Sequence, residues 1–400
     1  MSNIQYLWFD SKDEEERQKE FRRMYYRQIE EDNLDRIKKE FERNLELEFK
    51  EALGADRYGR EPNRKGYRGG YRYRDLHMWC GRIKKIRVPK GEKGYKYKLL
   101  EPYSRRDERM TEAIYRAYVY GMSDRKVSKY FKELYREEVI SAQGVSDIYK
   151  RLTKNVDKWH KRKIQDEYRY IYLDGMVQGI KEAVRKQKTV LVAYGIKATG
   201  KKEVIDYAIE MGESAAAWSR FLQDLYDRGL VGANLELVIH DGCPGLIEAL
   251  SWVWPKVKRQ ICSVHRLRNL NKRLKDSNAR KMMMKQASKI YRSRSRREAI
   301  SRAQAFKRRW SVCEPKAVML FIKGIEETFT YFDFDEKSWS LLKSTNPIER
   351  YLEEWRRRLR TMRCLNNVDS CNRILFGQVI EYNVQQEGFP NYSKSELILT

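Results

Sequence analysis

No apolar run in this 400-residue chain approaches the roughly 18 residues that a membrane-spanning helix needs. The longest candidates are Thr189–Ile196 and Ala317–Ile322. The N-terminus is acidic, with Asp10 and Asp13–Glu16 where a signal peptide would need a basic and then an apolar stretch, so an intracellular protein is expected. Cysteine is scattered: Cys80, Cys243, Cys262, Cys313, Cys364 and Cys371 form no Cys-x-x-Cys pair, which excludes a disulfide framework or a zinc ribbon and leaves reduced core thiols. Acidic residues are in deficit, 57 against 84 Lys and Arg, giving a net charge of +27 and a pI near 9.7. Such a balance calls for a polyanionic partner, and without a membrane run nucleic acid is the better candidate. With 41% hydrophobic and 12% aromatic residues the chain is not wholly disordered, and its length fits roughly two to three domains.

The charge is unevenly placed. Residues 1–50 hold 11 basic and 14 acidic side chains, whereas residues 51–110 hold 18 against 8 and residues 266–310 hold 17 against 2. The last two stretches carry nearly all of the excess. A basic run taken alone reads as a solvated helix face, but two of this density are harder to dismiss. In the first, Arg68, Arg72 and Arg74 alternate with tyrosines and glycines through Gly66–Arg74, a mixture suited to phosphate contact and base stacking. The second, with Arg292, Arg294, Arg296 and Arg297, reads as a helical groove liner.

Residues 13–50 place Phe21, Tyr25, Ile29, Ile37, Phe41 and Leu45 at near-helical spacing, predicting one long amphipathic helix or two shorter ones, for packing or for dimerisation. Residues 54–102 read as irregular, with a short strand at Ile83–Val88 closed by Pro89. Ser123 and Asp124 are placed to cap a helix carrying Arg125, with Val127, Tyr130, Phe131 and Leu134 inward. Ser141 is placed to cap a second helix, with Val145, Ile148, Tyr149 and Leu152 inward and Gln143, Ser146, Asp147, Lys150 and Arg151 outward. This is a helix-turn-helix pattern, which any helical hairpin also satisfies.

From residue 168 the period changes. Tyr170–Asp174, Thr189–Ile196 and Glu203–Met211 read as three antiparallel strands. Glu213–Arg228 follows as a helix ended by Gly229, then Leu235–Ile239 as a strand, Gly245–Trp254 as a helix and Lys258–Val264 as a fifth strand. The order β-β-β-α-β-α-β predicts an α/β ribonuclease H-like catalytic domain with a mixed five-stranded sheet. It carries an α-helical insertion and follows a mainly α-helical DNA-binding region. Asp174 on the first strand and Asp241 at the end of the fourth would then be neighbours. Hard divalent cations take oxygen ligands, and two ions roughly 3.5–4 Å apart clamp both oxygens of a phosphodiester displacement. An Asp before Gly is, taken singly, an ordinary turn former; two on adjacent strands in so basic a chain read otherwise.

The chain here resembles the bacterial insertion-sequence transposases of the Mutator superfamily. The resemblance is carried by Tyr172–Gly175, Gly212-Glu213-Ser214 with Trp218, Asp227–Leu230, His240-Asp241-Gly242 with Gly245-Leu246, Gln260–Asn269, and Ser344–Arg350 followed by Arg356-Arg357-Arg358. It extends N-terminally through Lys65–Tyr71 and the helix-turn-helix. It implies an Asp-Asp-Glu triad of Asp174, Asp241 and Glu349 holding two Mg²⁺ ions, for which Mn²⁺ can substitute. It further implies binding to double-stranded DNA at terminal inverted repeats and at a target, strand cleavage, 3′-OH strand transfer, a homodimer and a cytoplasmic, nucleoid-associated location. Pro347 is tolerable in the first turn of a helix capped by Asn346. Glu353 and Glu354 are rivals for the third acid, Glu353 lying nearly on the face of Glu349.

Cys262 and His265 match the family's Cys-x-x-His motif; their composition alone reads as a buried thiol and a hydrogen-bonded histidine. With Arg266, Asn346 and Arg350 they join the candidate DNA contacts. Trp218 reads as core, with base stacking as the alternative. The expected organisation is 1–52 helical, 53–105 basic, 106–165 helix-turn-helix, 166–265 catalytic core, 266–340 basic helical insertion and 341–400 final core helices and tail. Two other readings stay open, a catalytically silent DNA-binding regulator and a structure-specific nuclease.

Overall fold

A computed structural model describes residues 14–59, 61–62, 64–91, 94–100, 105–181, 185–275, 277–361, 365 and 367–386. Asp10, Asp13, Cys364 and the tail from residue 387 lie outside the described residues. Two compact units emerge. One comprises the chain up to Tyr118 with Asp124–Ile148, the other Val119–Ser123 with the chain from Tyr149 onward.

In the first unit, α1 (Glu14–Leu53) is a single 40-residue helix. Its C-terminal half packs on a hairpin: Leu45, Phe49 and Leu53 are buried against Leu76, Ile83, Ile86 and Val88 of β1 (Arg68–Met78) and β2 (Gly81–Gly91). Phe21, Tyr25, Tyr26 and Ile29, on the other half, are exposed. The hairpin corrects the expected short strand at Ile83–Val88. The strand runs on through Pro89, which faces Tyr71 in a sheet of only two strands, where a missing N–H disrupts no second ladder. Its partner β1 was hidden because the chain from Arg68 to Arg74 buries nothing completely.

Helices α2 (Glu108–Val119), α3 (Asp124–Tyr135) and α4 (Ala142–Arg151) follow. The Ser141 hydroxyl accepts from Gly144 N at 3.1 Å and its carbonyl accepts from Val145 N, as its capping role requires. Val127 and Phe131 are buried, but Tyr130 and Leu134 are exposed, contrary to expectation. Val145, Ile148, Tyr149 and Leu152 are buried.

The second unit opens with α5 (Thr153–His160) and holds a five-stranded mixed sheet. Strands β3 (Tyr168–Lys181), β4 (Arg185–Lys197) and β5 (Lys202–Glu210) pair antiparallel, while β6 (Leu237–His240) and β7 (Lys258–Ile261) continue from β3 in parallel, giving the order β5-β4-β3-β6-β7. Strand alternation divides the side chains between two faces. Ile171, Leu173, Leu191 and Ala193 pack in the core with α6 (Ala215–Asp227) and α7 (Pro244–Val253), where Trp218 is fully buried. Trp218 is therefore core and not a base-stacking surface. On the opposite face Tyr194 and Tyr207 meet Tyr351 and Trp355 of α13 (Asn346–Thr361), and α14 (Val368–Gln386) brings Phe376 against Trp159.

Between β7 and α13 the chain is helical: α8 (Ser263–Arg273), α9 (Ser277–Ile290), α10 (Arg296–Trp310), α11 (Pro315–Ile322) and α12 (Trp339–Leu342), with short 3₁₀ turns from Ile325 to Ser338. Buried Gln260 fastens this stretch to the sheet, donating to Thr328 O and accepting from Tyr331 N. Strand β7 is shorter than expected, and Ser263, Val264 and His265 are the first turn of a helix. No helix among the described residues is long and apolar enough to cross a membrane.

Candidate active site

Parallel pairing of β3 with β6 ends at Leu173 opposite His240, so Asp174 and Asp241 are the next residues on neighbouring strands. This is the carboxyl edge of the parallel strands, where open α/β sheets gather functional groups. Asp174 shares the α13-facing side of β3 with Tyr172, whose hydroxyl donates to Leu341 O at 3.0 Å just upstream of α13. Asp241 begins the turn into α7, and its Oδ1 accepts from Cys243 N at 2.9 Å. His240 beneath it is fully buried. Burial holds its pKa down, to about 4, so it is neutral and its Nδ1 accepts from Gly242 N.

Burial, with Asp241 and Glu349 adding to it, raises the Asp174 carboxyl to about 7, against the opposing pull of His265 and of the hydrogen bond from Gly175 N. Residues on β3, β6, α8 and α13 thus act on one carboxyl group. Glu349 Oε1 lies 3.2 Å from both His265 Nε2 and Arg268 Nη1. Its rivals are placed otherwise. Glu354 pairs with Arg357 and Arg358, and Glu353 is exposed.

Cys262 and His265 belong to this site as its frame. The Cys262 sulfur sits at the N-cap of α8 and accepts from His265 N, from Thr345 N at 3.3 Å and from Thr345 Oγ1 at 3.3 Å. Burial works to raise the thiol pKa, but the hydrogen bonds from His265 and Thr345 outweigh it and leave it below the ordinary value. His265 is raised, first by its hydrogen bond with Cys262 and then by the charges of Cys262, Asp174 and Glu349, against burial. Thr345 Oγ1 also lies 3.3 Å from His265 Nδ1. Thr345 immediately precedes α13, so one sulfur joins the starts of two helices. This moves the expected cap: Asn346 is itself the first helical residue, exposed at the surface, as is Arg350.

Sequence reasoning placed Glu213 at a helix start and in the Gly212-Glu213-Ser214 element of the family resemblance, but gave it no role in the site. Its carboxylate lies against the backbone beside Asp174: a Cβ added to Gly175 would collide with Glu213 Oε1 and stand 2.6 Å from its Cδ. Burial, followed by the charge of Asp241, raises the Glu213 pKa against the opposing hydrogen bond from Cys243 and charge of His265. Gly175 was the signal, because a glycine inside a strand marks a close approach.

Gly245, on α7, sets the spacing of the turns that bear Asp241 and Glu213. A Cβ there would stand 2.6 Å from Ala215 N and 2.7 Å from Glu213 O, both backbone atoms that cannot swing away. Gly245→Ala is therefore expected to destabilise by about 1–3 kcal/mol, the usual cost of overpacking. Urea denaturation checks this, and an unchanged midpoint would contradict the close packing.

The expected DNA contacts fall into two groups. Arg72, Arg125, Gln143, Lys150, Arg151, Arg292, Arg294 and Arg297 are exposed, and Ser146 is half-buried. Arg72, Arg74, Lys85, Lys96 and Arg105 line a groove of about 1020 Å³ in the first unit. Burial, then the charge of Arg72, lowers the pKa of Arg74 there. Arg68 instead pairs with Glu46 at 2.7 Å, Arg266 donates to Phe321 O and Lys323 O, and Arg296 donates to Phe329 O and pairs with Asp333. These three hold the fold together.

Divalent cations fit the acids in kind, since Asp174, Asp241, Glu349 and Glu213 offer hard oxygen donors. Burial first, and then the charges of Asp241 and Glu349, raise the Asp174 carboxyl, and a divalent cation would relieve that crowding of charge. Among the described residues no three His, Cys, Asp or Glu side chains are already gathered into a coordination cluster, Glu349 being turned to His265 and Arg268.

The sequence profile of the Mutator family of transposases matches residues 10–387, and the chain belongs to that family. It is 34% identical over 339 residues to the transposase for insertion sequence element ISRM5 of Rhizobium meliloti, covering 84% of each chain. It is 32% identical over 344 residues to the transposase for IS256 in transposon Tn4001 of Staphylococcus aureus, covering 84% of this chain and 86% of that one.

Proposed function

We propose that the chain is an Asp-Asp-Glu DNA transposase. It has a ribonuclease H-like core that includes the five-stranded sheet, a basic helical insertion at 266–340 and a DNA-binding region spanning 53–165. What supports this reading is that Asp174 and Asp241 follow the paired ends of adjacent strands and that the charges of Asp241 and Glu349 both act on the buried Asp174 carboxyl, in a chain of the Mutator transposase family. The substrate is double-stranded DNA, first at the terminal inverted repeats of its element and then at the target.

Asp174 and Asp241 would hold Mg²⁺, or Mn²⁺ in its place, from the ends of adjacent strands, and Glu349 would do so from α13. Two such ions, when bound, supply charge neutralisation and activation of water at the phosphodiester. The chain contributes alignment. The sheet edge fixes Asp174 against Asp241, while the Cys262–Thr345 contact fixes the start of α13 and so the reach of Glu349. Attack by water breaks a P–O3′ bond at the element end, leaving a 3′-OH and a 5′-phosphate. That 3′-OH then attacks a target phosphodiester, forming one bond as the target strand's P–O3′ bond breaks. Joining two ends requires two subunits, and the exposed aromatic stripe from Phe21 to Ile29 on α1 supports a homodimer. A cytoplasmic, nucleoid-associated location follows from the substrate.

Incubating the purified chain with inverted-repeat DNA, with and without Mg²⁺, tests the reading. Cleavage followed by strand joining supports it. Cleavage without joining would indicate a nuclease, and binding without cleavage a silent regulator.

Salt tests the basic blocks separately. Each neutralised phosphate contributes about 0.9 to the slope of log K against log[salt]. The exposed trio Arg292, Arg294 and Arg297, changed together to alanine, is expected to make that slope shallower by about 1 for each phosphate the variant leaves without its arginine. An unchanged slope in a binding assay would remove residues 292–297 from the DNA interface.

A further inference from the structure

The Asp-Asp-Glu reading uses three acids, but the structure brings a fourth to the same backbone. Glu213 is supplied by the turn that follows β5 and precedes α6, an element none of the three uses. Its side chain lies across Gly175, next to Asp174, in space that any other residue at position 175 would fill. Its main chain is equally constrained. Cys243 Sγ, two residues past Asp241, donates to Glu213 O at 3.5 Å, and Gly245 packs on the same carbonyl. Ser214 immediately after it caps α6, its hydroxyl accepting from Ala217 N at 3.2 Å, which fixes where the Glu213 backbone stands. Among the described residues no Lys or Arg forms an ion pair with Glu213; what acts on its carboxylate is a hydrogen bond from Cys243, two residues past Asp241, and the charge of His265, which also faces Glu349.

A half-buried acid with no Lys or Arg paired to it, seated over the backbone next to Asp174 and within the field of Asp241, adds negative charge where two acids already stand and does little to stabilise a fold. It is well placed to bind a positive ion. We propose that Glu213 is a fourth carboxylate of the catalytic centre, a direct ligand for a divalent cation on the Asp174–Asp241 side, opposite the Glu349 that His265 holds. The inference rests on reading Asp174 and Asp241 as metal-holding acids. It also accounts for Gly175, since the absence of a side chain there admits the carboxylate.

The test measures metal binding by the full-length protein without DNA, titrating Mn²⁺ by electron paramagnetic resonance in wild type, Glu213→Gln and Asp241→Asn. The Glu213→Gln variant is expected to bind Mn²⁺ at least about tenfold more weakly, the lower end of what even outer-shell changes cost. Glu213→Cys provides a second readout. A thiolate in the ligand position takes soft metals, so added Cd²⁺ should give a sulfur-to-metal charge-transfer band beyond that of wild type. If wild type binds Mn²⁺, Asp241→Asn loses it, and Glu213→Gln binds normally with no extra band in Glu213→Cys, the Glu213 assignment is overturned and the triad stands. If Asp241→Asn binds as wild type does, the triad reading itself fails, and this inference with it. Should Glu213→Gln not fold, the Cd²⁺ band of Glu213→Cys decides.

Discussion

Asp174→Asn, Asp241→Asn and Glu349→Gln are each expected to reduce Mg²⁺-dependent cleavage of an inverted-repeat duplex by about a thousandfold or more while leaving end binding intact. The magnitude follows from several kcal/mol of transition-state charge stabilisation, about 4 kcal/mol corresponding to three decades in rate. Binding should survive because the exposed arginines of both basic blocks lie on other elements. Loss through misfolding is separable for Asp174, because its carboxylate is itself a burden on the fold. Burial and Asp241 raise its pKa to about 7. An acid whose folded pKa exceeds its unfolded value contributes stability below the unfolded pKa, near 3.8, and loses it as pH rises to about 7. In metal-free buffer, Asp174→Asn should therefore melt above wild type at pH 8, with the gap closing towards pH 4. Thermal melts and cleavage assays on one preparation read both effects: a variant that is more stable and inactive. Full activity in any of the three would remove that residue from the triad.

The parts of this site that were legible in sequence are those where local pattern and tertiary placement agree. Strands β3, β4 and β6 carry apolar, β-branched or aromatic runs, and a sheet with β3 beside β6 leaves Asp174 and Asp241 adjacent. The Asn346–Arg350 context singled out Glu349, and its pairing with His265 and Arg268 distinguishes it from Glu353 and Glu354. What stayed hidden depends on distant contacts. Thr345 meets Cys262 across 83 residues, a contact that neither residue's surroundings announce. Strand β1 lacks alternation because Arg72 and Tyr73 stay in solvent while Arg68 and Tyr71 are engaged by Glu46 of α1, a partner that the local sequence does not announce. Tyr130 and Leu134 keep a helical apolar spacing but remain exposed, a reminder that periodicity marks a face without guaranteeing its burial. Arg68, Arg266 and Arg296 show the same limit for charge. A basic run records where arginines are, and only the fold shows which of them carboxylates and carbonyls already hold.

Asp206→Ala is expected to be the most destabilising single change outside the catalytic centre, by about 3–5 kcal/mol, because it strands a buried cation. Asp206 is 1% exposed on the edge strand β5. Its carboxylate lies 2.7 Å from His160 Nδ1 on α5, pairs with Arg228 Nη2 at the C-terminus of α6, and accepts from Tyr207 N at 2.7 Å. Arg228 is itself nearly enclosed, and its carbonyl accepts from Ile164 N at 2.8 Å, so the pair ties the chain entering β3 to the end of α6. Without Asp206, Arg228 keeps only the half-exposed Asp224 as counter-charge, at 2.7 Å. The cost is thus that of an orphaned charge more than of a lost attraction, and the two can be told apart. Replacing both partners, Asp206→Ala with Arg228→Met, should recover much of the loss, since a buried ion pair exchanged for apolar groups is often close to neutral. Urea denaturation of the two single variants and the double variant gives the coupling directly. Single-variant losses that add in the double would show that Asp206 and Arg228 act independently, and the buried pair would then not be what fastens α6 to the edge of the sheet.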